Sequence, residues 1–211
     1  MTMATSFDAI FSLGSSCQVA SQLRRNGLCT AAGPFDWFNF ASIPGFCQVL
    51  ESRFERFMLL PNLEDYSHSV NCHYVRDKAS TCLSFHDFKY DPEQPPLFDY
   101  PEFRDRLERR IGRFSHFLSS VQDVLLIRTV KHTEDAVRIF DTIENSCTNP
   151  HLRYLFVLHS SDPDAVELDS GHPRIRIVRM PAGATWEGDA EAWKKTLAPY
   201  SIRSQPSNHP S

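Results

Sequence analysis

Short apolar runs alternate with amphipathic stretches along most of the chain. The run at residues 7–13 predicts a buried strand, and the apolar positions within 19–23 lie at helical spacing until Gly27 ends the pattern. Apolar residues at intervals of three or four between 43 and 57 predict a second helix, which Ser42 can cap. The N-terminal part therefore begins with a strand and a helix.

The pattern changes twice in the middle of the chain. Alternating polar and apolar residues at 73–75 and 82–88 predict a β-hairpin. Four prolines between 90 and 101 then resist both helix and central strand, so this segment is predicted to be a surface connection. Apolar residues from 103 to 118 follow on one face of a long amphipathic helix.

Strands and helices alternate again in the C-terminal part. The predicted elements are strands at 124–127, 154–158 and 175–178, a helix beginning at Thr133, and a last helix over about 189–197. Such alternation is typical of a largely parallel sheet. We therefore predict an α/β fold: a mostly parallel, Rossmann-like sheet flanked by helices, with a small β-hairpin in the N-terminal half.

A chain of 211 residues is long enough to bury one sizeable core. We expect a single domain over residues 5–200, with halves at 5–90 and 102–200 joined by the proline-rich connection at 90–101. The Ser, Pro and Asn residues beyond predict a disordered tail at 201–211.

The composition argues against several classes of protein. Hydrophobic residues make up 41% and charged residues 23% of the chain, as in ordinary globular proteins. A formal net charge of -4 gives no general attraction for nucleic acid or anionic lipid, so neither is an expected partner. No run approaches the roughly 20 apolar residues that cross a membrane, and no secretory signal is evident, so a cytoplasmic location is expected.

Cys17 ends the segment Ser12-Leu-Gly-Ser-Ser-Cys17, at the junction of the first predicted strand and helix. As the first or second residue of that helix, it would face free backbone N–H groups and the positive end of the helix dipole, which favour a thiolate. The same groups could stabilise an oxyanion on a substrate carbonyl. The alternative is a small buried hydrophobic residue, which free cysteine often is.

A thiol nucleophile needs a base, and His86 is the best placed of nine histidines. In a regular strand its side chain opposes that of Asp87 and could face a cleft; the alternative is a core histidine bonded to a backbone carbonyl. Asp36, between two aromatic residues, is the candidate to orient the imidazole, unless it is a turn carboxylate bonded to local N–H groups. Asp87 is the weaker orienter unless the strand is bulged.

Substrate contacts are expected from residues that flank these motifs: Ser15, Ser16, Trp37, Asp87 and Arg128. The six cysteines lack a repeated spacing, which indicates mostly reduced thiols. Five possible zinc ligands also lack the spacing of known sites, so we expect no metal and no other cofactor; they are His68, Cys72, His73, Cys82 and His86.

Several motifs, in this order, resemble DUF1796, a bacterial family of unknown function described as papain-like cysteine peptidases. They are Ser12-Leu-Gly-Ser-Ser-Cys-Gln-Val-Ala20, Leu23-Arg-Arg-Asn-Gly-Leu28, Pro34-Phe-Asp-Trp37, Phe85-His-Asp-Phe88 and Leu126-Ile-Arg-Thr129. The resemblance covers roughly residues 7 to 160. It implies that Cys17 is the nucleophile and His86 the base.

Three hypotheses about function follow. The first is a cysteine-dependent hydrolase or acyl transferase, with papain-like peptidase as its sharpest form, acting on a peptide, an amide, a thioester or another small molecule. The second is a Rossmann-like protein or transferase of polysaccharide metabolism, which binds a sugar or nucleotide near Ser15, Ser16, Arg128 and His159. The third is a noncatalytic interaction module with Phe35 and Trp37 as an exposed anchor. A protein partner is left open.

Overall fold

The computed structural model of the chain describes residues 5–203, within which eleven strands and five α-helices are found. The strands are β1 (Thr5–Phe7), β2 (Ala9–Ser12), β3 (Phe38–Phe40), β4 (Leu63–His68), β5 (Cys72–Asp77), β6 (Cys82–Lys89), β7 (Val124–Val130), β8 (Leu152–Ser160), β9 (Val166–Leu168), β10 (Ile175–Pro181) and β11 (Tyr200–Ile202). The helices are α1 (Gln18–Arg25), α2 (Ile43–Glu51), α3 (Tyr100–Ser119), α4 (Thr133–Ser146) and α5 (Ala190–Leu197), and a 3-10 turn spans Leu60–Asn62.

The largest sheet has five strands in the order β2-β7-β8-β10-β9. The first four are mutually parallel, and β9 pairs antiparallel with β10 at the edge. All seven residues of β7 are buried because helices cover both faces of the sheet. Leu125 and Ile127 face α1 and α5, whereas Val124 and Leu126 face α3 and α4.

The N-terminal half holds a second, wholly antiparallel sheet in the order β3-β6-β5-β4. The predicted hairpin forms its centre as β5 and β6, so the sequence pattern underestimated this part of the fold. The chain is therefore a mixed α/β protein, as predicted, with a central sheet that is mostly parallel. It is not a clear Rossmann-like sheet, because the antiparallel sheet lies between β2 and β7 along the chain.

Aromatic side chains join the two halves of the chain in one core cluster. The ring of Phe35 lies 4.9 Å from that of Phe46 and 5.7 Å from that of Phe114 on α3. Aromatic pairs at these separations add stabilisation beyond the area that they bury. The turn that contains Phe35 is therefore held against both α2 and α3.

Two predicted boundaries were wrong. The second helix ends at Glu51 and not near residue 57, because Arg53 and Phe54 adopt positive φ angles of 49° and 67°. The predicted disordered tail begins too early, since Ser201 and Ile202 belong to β11, which pairs with β1. Arg203 extends this contact with an ion pair to Asp8 at 2.8 Å, and residues 204–211 lie outside the described part.

Between residues 5 and 203, no helix has the length and hydropathy needed to cross a membrane.

Candidate active site

The loop that carries Cys17 leaves the central sheet directly after β2. Leu13 still donates its N–H to Ile127 at 2.8 Å, and Gly14 then turns the chain with a φ of 72°. A Cβ atom at this glycine would stand 3.1 Å from the carbonyl oxygen of Phe35. Glycine therefore permits both the positive φ and the close packing of this loop on the Pro34-Phe-Asp-Trp37 turn. Two of the motifs that carry the family resemblance, the loop of Cys17 and the Pro34-Phe-Asp-Trp37 turn, are therefore in contact.

Cys17 occupies the N-cap position of α1, just before the predicted first or second helical position, and its side chain makes no capping hydrogen bond within the described residues. It is 7% exposed, and its carbonyl accepts the N–H of Ser21 at 3.0 Å. Burial, and after it the negative charges of Asp87 and Asp36, raise the pKa of the thiol from 9.0 to about 11. The expected thiolate is thus not favoured here, because desolvation and two carboxylates outweigh the helix terminus.

His86 lies in a bulge of the antiparallel sheet. Val75 pairs with Ser84 and His73 pairs with Phe88, so the three residues 85–87 stand opposite Tyr74 alone. Such a bulge bends the strand and redirects its side chains, and bulges are frequent beside active sites. Here it leaves His86 exposed, while the carboxyl of Asp87 is buried.

Cys17 and His86 both line one open cleft, of about 580 Å³. The other residues that line it are Ser16, Asn39, Tyr74, Phe85 and Trp186. The predicted thiol and imidazole are therefore brought to the same cleft, although no hydrogen bond joins them within residues 5–203. Two further hollows, of about 440 and 370 Å³, lie beside α4 and contain neither residue.

His86 also lines a second cleft, of about 390 Å³, together with Trp37, Asp87, Arg106 and Arg110. The rings of Trp37 and His86 meet edge to face at 5.9 Å. The guanidinium of Arg24 covers the Trp37 ring at 4.3 Å from its centre. His86 is thus the residue that the two clefts share.

The two candidate orienting carboxylates are both bonded elsewhere. Asp36 accepts the N–H of Gly33 at 3.0 Å, which is the turn alternative, and burial raises its pKa to about 6. Asp87 accepts the hydroxyl of Ser84 at 2.7 Å, and burial raises its pKa against the opposing charges of Arg110, Arg106 and His86. The charge of His86 acts on the carboxyl of Asp87, which lies in a bulged strand, the exception that the prediction allowed for.

The predicted substrate contacts separate into two groups. Ser16 lines the cleft of Cys17, and Trp37 and Asp87 line the second cleft. Arg128 is 0% exposed, so its predicted contact with substrate is wrong. Its guanidinium donates to the carbonyl of Leu13, and burial lowers its pKa to about 9. This hydrogen bond from Arg128 stabilises the loop that precedes Cys17.

Ser15, with a φ of 83°, lines neither of the two clefts. Phe35 is 0% exposed, so it cannot form an exposed anchor with Trp37. Among residues 5–203, no group of three or more His, Cys, Asp or Glu side chains is arranged to hold a metal ion. The six cysteines are all free thiols, as expected.

Sequence reasoning missed Asn39 and Trp186. Asn39 sits in the middle of β3, and its Oδ1 is buried without a hydrogen-bond partner in the described residues. Trp186 is 61% exposed and reaches the cleft from the loop after β10. Only the glycines on either side of that loop, Gly183 and Gly188, were a possible signal, since both have positive φ angles.

The loop of Trp186 is fastened to α1. Gln18 donates from its amide nitrogen to the carbonyl of Trp186 at 2.9 Å, and its amide oxygen meets Nε2 of His159 at 2.6 Å. Arg25 pairs with Glu187 at 2.6 Å. Helix α1, which begins directly after Cys17, therefore also fixes the loop that carries Trp186.

The thiol of Cys17 and the imidazole of His86 thus lie along one cleft of a mixed α/β protein. The sequence profile of the family "Putative papain-like cysteine peptidase (DUF1796)" matches residues 8–160, and the chain belongs to this family. It is also 25% identical, over 90% of its length and 97% of the relative, to "Uncharacterized protein R408" of Acanthamoeba polyphaga mimivirus. This relative is viral, so it does not bear out the expected bacterial origin. No solved structure matches.

Proposed function

We propose that the protein is a cysteine-dependent hydrolase or acyl transferase, with Cys17 as nucleophile and His86 as general base and acid. The observation that carries this proposal is the shared cleft, with Cys17 at the start of α1 and His86 in the bulge of β6. Membership of a family described as peptidase-like adds support. The substrate is an acyl compound, either an amide or a thioester.

The raised pKa of Cys17 determines how the first step proceeds. A thiol with a pKa of about 11 is protonated at rest, so its proton must leave as the sulfur attacks. His86 takes this proton, the sulfur bonds to the carbonyl carbon, and the negative charge of Asp87 stabilises the imidazolium that forms. His86 must move toward Cys17 for this transfer, because no hydrogen bond joins them at rest within the described chain.

The remaining steps return the enzyme to its starting state. The bond from the carbonyl carbon to the leaving atom breaks, and the imidazolium of His86 gives its proton to that atom. The acyl group stays on Cys17 as a thioester. Water or another acceptor then attacks the thioester, its proton passes through His86 to the sulfur, and the acyl product leaves. Asn39 lines the same cleft, and its side-chain amide nitrogen can donate to the oxyanion that forms on the carbonyl.

Turnover by matched single variants tests this proposal. With arylacyl thioesters and amides as substrates, Cys17→Ala and His86→Ala are each expected to lower kcat by about a hundredfold or more. Cys29→Ala and His116→Ala, which change the same residue types away from both clefts, are expected to leave kcat unchanged. Trapping of an acyl group on Cys17 by mass spectrometry would support the covalent step. Undiminished turnover by Cys17→Ala would refute the proposal.

The second candidate is a noncatalytic domain that binds a sugar or nucleotide at the carboxyl ends of the parallel strands. The observation that favours it is the raised thiol pKa together with the aromatic walls Tyr74, Phe85 and Trp186. It predicts that nucleotide sugars raise the melting temperature of wild type and Cys17→Ala equally. It also predicts no covalent intermediate.

A further inference from the structure

Three aromatic side chains line the cleft of Cys17. The rings of Tyr74 and Phe85 meet edge to face at 5.0 Å, and Trp186 is the third ring that lines the cleft. An exposed Trp usually moves freely, but the backbone of this one is held by Gln18 and its neighbour Glu187 is held by Arg25. Three rings around an open space favour a large apolar or aromatic group, because ring contacts add to the gain from burial.

The second cleft that His86 lines is basic. Arg106 is 37% exposed; its guanidinium forms a loose ion pair with Glu102 at 3.9 Å and donates to the backbone carbonyl of Asp87 at 3.4 Å. Arg110 has no ion pair with any residue of the described chain, although its charge reaches both Asp36 and Asp87. Asp87 is 9% exposed and already bonded to Ser84, so an entering group meets the guanidinium groups first. Such a cleft favours an anion, because charge-assisted bonds from Arg to carboxylate or phosphate are strong.

His86 is the one residue common to the apolar and the basic cleft. We propose that the site cleaves acyl compounds whose acyl group carries an aromatic ring and whose leaving group carries a carboxylate or a phosphate. This inference rests on the proposed function. The acyl group stays on Cys17, beside the rings, while the leaving group takes its proton from His86 and departs past the arginines. The chemistry of the two parts of the substrate thus follows from the two clefts that share His86.

Paired thioesters test the anionic leaving group. Phenylacetyl thioesters of thioglycolate and of thioglycolamide differ only in the carboxylate, and those of phosphopantetheine and of pantetheine differ only in the phosphate. The anionic member of at least one pair is expected to have about a tenfold higher kcat/KM, a difference that Arg110→Gln removes and Arg109→Gln, on the exposed face of α3, retains. The pair that shows the larger preference identifies the source of the anion. Equal kcat/KM within both pairs would overturn this half of the inference.

The aromatic acyl group is tested at Trp186. Wild type is expected to prefer the phenylacetyl to the acetyl thioester of thioglycolate by about tenfold or more, and Trp186→Ala is expected to reduce that preference. Val121→Ala, which truncates another exposed apolar side chain, is the control. An unchanged preference in Trp186→Ala would refute the role of this ring.

A binding experiment separates this inference from the proposed function. In Cys17→Ala, calorimetry is expected to show that phenylacetylglycine binds about tenfold more tightly than its amide, and that Arg110→Gln abolishes the difference. Binding with this preference but without turnover in wild type would leave the two subsites standing and refute the catalysis. Turnover in wild type without either preference would refute the subsites and leave the catalysis standing.

Discussion

Replacing Asp87 with Asn tests whether the carboxylates beside Cys17 keep its thiol protonated. The hydroxyl of Ser84 donates to Oδ2 of Asp87 at 2.7 Å, and the amide oxygen of Asn can accept the same bond. The substitution therefore removes the charge with little change in packing. The expected result is a faster alkylation of Cys17 and a slower turnover of substrate, two effects of opposite direction.

The size of the effect follows from the order of the causes. The pKa of Cys17 is about 11 against an ordinary 9.0; burial is the largest cause of the rise, and the negative charge of Asp87 is the second largest. Asp87 thus accounts for about one pKa unit at most, which is about a tenfold gain in the thiolate fraction near neutral pH. A thiolate of lower pKa is a weaker nucleophile, so the expected gain in rate falls to about threefold.

The assay is the rate of iodoacetamide alkylation at Cys17, resolved by mass spectrometry across a pH series. Cys29 serves as an internal reference, and Asp105→Asn, on the exposed face of α3, is the matched charge control. Since burial raises the pKa of Asp87, the difference between variant and wild type must disappear when acid protonates this carboxyl in the wild type. Equal rates at all pH values would show that Asp87 does not act on the thiol, and a slower variant would reverse the sign of the argument.

Two further predictions concern stability in urea. The pKa of Asp36 is raised from 3.8 to about 6, so the stability contributed by its protonated carboxyl is fully present below pH 3.8 and lost as the pH rises through 6. Asp36→Asn, which keeps the bond from Gly33, is expected to be more stable than wild type by up to about 3 kcal/mol at pH 7 and equal to it at about pH 3. Equal stability at pH 7 would contradict this. Gly45→Ala places a Cβ atom against the carbonyl oxygen of Ser80, well inside van der Waals contact, and is expected to cost about 1–3 kcal/mol. Gly112→Ala, in a helix with no atom within 4 Å of the new Cβ, is expected to stabilise the protein by about 0.5–1 kcal/mol. The same sign for both glycines would refute the steric reasoning.

The turn before Cys17 and the cap of α2 could be predicted from the sequence, because both depend on residues that are neighbours along the chain. The apolar run that ends at Gly14 predicted a turn between the strand and the helix of Cys17, and the structure has this turn. Ser42 caps α2, as predicted, by accepting the N–H of Gly45 at 3.1 Å. The placement of Cys17 at this junction followed from the same pattern. Its protonation state did not, because that depends on Asp36 and Asp87, which only folding brings near.

The sequence by itself determined the alternation of strands and helices, the buried face of each, and the position of Cys17 just before the first helix. These features depend on neighbours along the chain, because the hydrophobic pattern repeats every two residues in a strand and every 3.6 residues in a helix. The tertiary structure decided the partners. Only the pairing of β5 with β6 creates the bulge that exposes His86, and only the loop after β10 brings Trp186 to a cysteine far away along the chain. Arg128 shows the same limit: its place in an apolar strand was visible, but its complete burial followed from the helices packed on both faces of the sheet. The hydrophobic pattern along the chain indicates that a side chain is buried. Which residues it packs against depends on elements that are distant along the chain.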